Sequence, residues 1–169
     1  MRTDSGDRSA TAVDAPSSGS GGPSETTSVS DLTPWSSTLV QGWLSVAIWM
    51  AFGLVLEGLL GYKIPAYLQD EERRALFRLA HTHGTFLGLA LIAAALCGLR
   101  FNFSPPRVAR IAFRLGTSLM PVGFLLAGIW HYESDPGLAI WLVPPAALLI
   151  VFAAVAFALA SRAGWHGEE

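Results

Sequence analysis

RRALFRLAHTHGTFLGLALIAAALCGL, residues Arg73–Leu99, is the stretch that decides the fold. From Ala75 onward it is almost wholly apolar, and a helix rising 1.5 Å per residue needs about 20 such residues to cross a bilayer. It therefore reads as a spanning helix. His81 and His83 fall in its first turns. Ionisable side chains inside a spanning helix are costly enough that a pairing or functional role is expected of them.

The rest of the chain agrees with a membrane setting. Of its 169 residues 51% are hydrophobic and only 14% charged, against about a quarter charged in an average soluble domain. The mean hydropathy is +0.43. A net charge of -2 gives no reason to expect nucleic acid as a partner, and a single cysteine, Cys97, allows no disulfide within the chain. The expected fold class is all-α: a polytopic membrane protein, a four-transmembrane-helix bundle behind a disordered N-terminal tail.

Residues 1–34 form that tail. They are rich in Ser, Thr, Gly and Pro, with no aromatic residue before Trp35, and cannot bury enough apolar surface to offset chain entropy. They also lack the apolar core of a secretory signal, so the first span is expected to direct insertion itself. The helical domain covers 35–162, with spans at about 39–61, 75–99, 111–130 and 138–160, and 163–169 make a polar C-terminal tail.

In the first span Trp49, Gly53, Glu57 and Gly61 fall four apart, the small-residue spacing that lets neighbouring helices approach closely. Glu57 is thereby expected to face the bundle. The second helix is expected to start near Ala66 and to project before entering the membrane close to Leu79, with Arg78 snorkelling to the headgroups. Ala80, Gly84 and Gly88 give it a small-residue stripe. His81 and His83, two residues apart, lie about 200° around the helix from each other, so they cannot ligate one metal from a regular helix. His81 is nearer the glycine stripe and is the expected inward one. Gly116, Met120, Gly123 and Ala127 mark the packing face of the third span, which Pro121 is expected to kink. Pro144 and Pro145 are expected to distort the start of the fourth.

Four spans put both tails on one side. The basic turn RFNFSPPRVAR (100–110) shares that side, whereas the turn after the third span, WHYESDPG (130–137), holds no Lys or Arg. The positive-inside rule then favours cytoplasmic termini in a cell (inner) membrane, against the opposing Lys63, Arg73, Arg74 and Arg78 of the first loop. With that topology Glu57, His81, His83, His131 and Glu133 belong to one half of the membrane. If the second span enters at Leu79, the histidines lie about 3–6 Å inside, level with Glu57.

FRLAHTHGTFLGLALI, residues 77–92, resembles the second helix of subunit I of haem-copper oxidases and nitric oxide reductases, where a histidine ligates the low-spin haem b. It also resembles small four-helix bacterial membrane proteins that carry an HTH motif. The first resemblance implies haem b, or a metal, held by His81 or His83 and completed by His131 or by a second copy, with Arg78 beside them. Those oxidases have about a dozen spans and take their other ligands from helices this chain lacks.

Three functions follow in order. The first is a structural or accessory subunit of a membrane complex with a His/Glu cluster (Glu57, His81, His83, His131, Glu133) on its outer half. The second is a haem- or metal-binding membrane protein. The third is a small transporter or proton-transfer protein, disfavoured because polar groups stop halfway across the bilayer. An enzyme is expected less: there is no activated Ser or Cys, no HExxH and no phosphate-binding loop. The expected partners are the lipid bilayer and either a second copy of the chain or a larger membrane complex.

Overall fold

A computed structural model of the chain describes residues 29–101, 105–130 and 136–165. Five α-helices account for most of them: α1 (Val29–Gly61), α2 (Pro65–Leu68), α3 (Glu71–Arg100), α4 (Arg107–Ile129) and α5 (Val143–Trp165), the last entered through a 3-10 turn at Leu138–Leu142. Four stretches within them are long and apolar enough to cross a membrane: Trp35–Gly61, Glu71–Arg100, Arg107–Ile129 and Leu138–Arg162. Each expected span lies within one of these, apart from Trp130 just past the end of α4. At the N-terminus the helix reaches back to Val29, so the last residues of the segment expected to be disordered are helical, and 1–28 lie outside the described residues.

Local signals set the helix ends. Lys63, at φ 53°, is the one described non-glycine residue in the left-handed region. Its N–H donates to Leu60 O at 3.1 Å and that of Ile64 to Leu59 O at 3.1 Å, the paired closure that stops a helix, and Pro65 follows. The second spanning helix does not begin at Ala66, as expected, because α2 ends after one turn. Asp70 then caps α3, its carboxylate accepting from the Arg73 N–H at 2.9 Å, with Glu71 and Glu72 in the first turn. At the start of α5 Pro144 and Pro145 occupy the first turn, where a missing N–H costs no hydrogen bond.

Each span packs on the next in sequence, α1 on α3, α3 on α4 and α4 on α5, so that α1 and α5 form the two edges of the bundle. Both edges show apolar side chains outward: Trp43, Leu44, Ile48 and Leu54 on α1, Leu148, Val151, Phe152 and Leu159 on α5. In water this would be an aggregation surface; in a bilayer it is the lipid face.

The α1–α3 seam is built by setting large groups of one helix onto glycines of the other. Trp49 covers Gly84, Val46 and Ser45 cover Gly88, Ile92 covers Gly42, and Trp35 covers Gly98. These pairs step up α1 as they step down α3, which fixes an antiparallel register. Ser45 Oγ adds a hydrogen bond to Gly84 O at 3.1 Å. On α4 the expected face is the packing face: Gly116 lies against Ala146 and Ile150, Gly123 against Val143, and Ala127 is fully buried. Pro121 is buried inside an uninterrupted α4.

Candidate functional site

The register that places Trp49 over Gly84 brings His81 onto Gly53. The imidazole lies so close that a Cβ at position 53 would collide with its Cε1 and Nδ1. Its Nδ1 is 2.7 Å from the Trp49 carbonyl oxygen. A carbonyl only accepts, so Nδ1 carries the proton, and in the neutral ring Nε2 keeps its lone pair. His81 is thus the inward histidine, tied across the seam to the helix it packs on.

His83 goes the other way. Its ring sits beside Phe124 of α4, centroids 5.1 Å apart, and its Nδ1 is 2.9 Å from Leu79 O, one turn back along its own helix. The two histidines therefore serve opposite interfaces of α3, as their spacing requires. They do not share a site.

Glu57 does not face the bundle. It is exposed, and it lines an open cleft at the first-loop end of the α1–α3 seam. The cleft has a volume of about 320 Å³ and is bounded by Met50, Gly53, Leu54, Leu56, Glu57 and Leu60 of α1, Tyr67 of α2, and Arg78 and His81 of α3. Glu57 and His81 are thus brought to one place, with Arg78 beside them. Tyr67, 4% exposed, is a member the sequence did not mark; the only available signal was its position just past Pro65, at the turn that closes the cleft. His131 and Glu133 lie outside the described residues, and so does their meeting with this cluster.

Among the described residues no group of three His, Cys, Asp or Glu side chains could hold a metal ion. A low-spin haem b takes an axial ligand on each face, and His81 and His83, on opposite sides of one helix, cannot supply both. The described residues alone do not make that site. Cys97, exposed at the other end of α3, has no part in it.

A second polar cluster was not read from the sequence. Arg114, two turns into α4, donates through Nε to Gln41 Oε1 and through Nη1 to Ser37 Oγ at 3.1 Å. Gln41 Nε2 returns hydrogen bonds to Arg114 O and Ser118 Oγ, each 3.0 Å. This clamp joins α1 to α4 at the basic end, where Arg110 also stacks over Trp35 at 5.5 Å. It satisfies a charge within a spanning helix.

Compared with family models, with curated proteins and with solved structures, the chain matches none of them. The class is defined by the fold itself: a multi-pass α-helical membrane protein of four candidate spans.

Proposed function

We propose that the protein is a structural or accessory subunit of a membrane complex, and that its intramembrane histidines serve helix packing. One observation carries this reading: His81 spends Nδ1 on the Trp49 backbone carbonyl and its ring on Gly53, so the imidazole is a fastener between α1 and α3. A polar group bonded across helices in this way contributes about 0.6–2 kcal/mol. In such a complex a partner helix would replace lipid on the outwardly apolar edge of α5.

The test is His81→Ala beside His81→Gln in the full chain. The alanine variant is expected to lower thermal stability in detergent and the amount of protein recovered from membranes, and glutamine, which can donate to the same carbonyl, to restore part of both. Wild-type stability and yield in the alanine variant would contradict the proposal.

A second reading has its own support. A backbone carbonyl that holds Nδ1–H while Nε2 stays free is how metal-ligating histidines are usually oriented. On that reading His81 binds haem b or a metal through Nε2, with His131 or a second copy completing the set.

A further inference from the structure

Four polar residues, Glu57, Tyr67, Arg78 and His81, line the cleft at the first-loop end, and the fold engages only His81, through Nδ1 and the ring face on Gly53. Among the described residues Glu57 and Arg78 pair neither with each other nor with another side chain, although both line the same 320 Å³ space. The Tyr67 hydroxyl, on a ring 4% exposed, has no described hydrogen-bond partner either. His81 Nε2 is left over once Nδ1 has bonded Trp49. An anion, a cation, a hydroxyl and a lone pair on apolar walls make a binding site for a small dipolar group.

Its place in the fold identifies the environment of that group. The cleft spans the last turns of α1 before Gly61 and lies about two turns into α3 from the Asp70 cap. It is at the boundary of the apolar spans, where lipid headgroups lie. One wall continues through Met50 and Leu54, 54% and 75% exposed, onto the lipid-facing side of α1. A ligand with its polar part in the cleft can therefore lay an apolar chain along that face.

We propose that this cleft binds the headgroup of a zwitterionic phospholipid with a primary ammonium, of the phosphatidylethanolamine class, its phosphate held by Arg78 and the Tyr67 hydroxyl and its ammonium by Glu57 and His81 Nε2. Guanidinium to phosphate and ammonium to carboxylate are the strong, charge-assisted pairings. A choline headgroup has no N–H to give to Glu57 or Nε2, and a glycerol headgroup brings no cation to Glu57. The site is independent of whether the chain is a subunit of a larger complex.

The test is native mass spectrometry of the full chain in detergent, with equal amounts of phosphatidylethanolamine, its mono- and dimethyl forms, phosphatidylcholine and phosphatidylglycerol. A charge-assisted hydrogen bond corresponds to about a tenfold difference in affinity. The expected result is stepwise loss of retention along the methylation series, ending about tenfold below the parent lipid. Glu57→Gln should flatten the series, and Arg78→Gln should weaken all the phosphate-bearing lipids together. Soluble phosphoethanolamine, lacking chains, should compete only at far higher concentration; equal potency would overturn the bilayer lipid as the ligand. Equal retention of every lipid by the unaltered chain would overturn the proposal, a result that needs no variant to fold.

Discussion

Gly53 and Gly58 stand five residues apart in one helix, with opposite surroundings. A Cβ at Gly53 would drive into the His81 ring, whereas one at Gly58 would meet nothing within 4 Å. Gly53→Ala is therefore expected to cost about 1–3 kcal/mol by overpacking, and Gly58→Ala to leave stability unchanged or raise it by up to about 1 kcal/mol. Unfolding of both variants in the same detergent checks the contrast, and equal effects would contradict the seam. The same geometry explains what was legible residue by residue. His81 could be placed because it adjoins Gly84 on the stripe. Glu57 could not be placed by counting fours, since each step of four residues turns the helix about 40° past a full turn. Two steps beyond Trp49 the chain has rotated by about 80°, so Trp49 and Gly53 lie in the seam while Glu57 has swung to its rim. The drift that removed Glu57 from the core is what opens the cleft beside it.

At the scale of helices, apolar run length predicted the spans, because a bilayer demands length and little else. Their ends were set by chemistry of one or two residues: Lys63 in the left-handed conformation, Asp70 as a cap. The start expected near Ala66 moves to Glu71 because Asp70 is a cap, and a cap stands outside its helix. The Gln41–Arg114 clamp was invisible for another reason. Gln41 looks like one stray polar residue in an apolar run, and its partner is 73 residues away. Counted from the starts of the candidate spans, Trp35 and Arg107, both lie about two turns in, and equal depth was the signal that could have paired them. Gln41→Leu and Arg114→Leu should each destabilise by about 1–2 kcal/mol. The double variant should cost less than the sum of the two, since each single change strands the other's hydrogen bonds. Additive losses in this cycle would show that the two side chains do not cooperate.

At the scale of the molecule, the four spans form a bundle whose edges, α1 and α5, are outwardly apolar, with a hydrogen-bonded clamp at the basic end and an open cleft with polar side chains at the other. Arg100, Arg107, Arg110 and Arg114 fall at the clamp end, and a cytoplasmic position of that end is the expectation of the positive-inside rule that labelling can test. Cys97 is exposed at that end and serves as a reporter. A membrane-impermeant maleimide is expected to leave it unlabelled in intact cells and to label it once the membrane is permeabilised; labelling from outside would reverse the orientation. Whether His81 fastens helices or holds a cofactor is decided most directly by the absorption spectrum and metal content of the purified full chain. The account predicts no Soret band and no stoichiometric metal. A Soret band lost in His81→Ala, or one metal per chain, would contradict it.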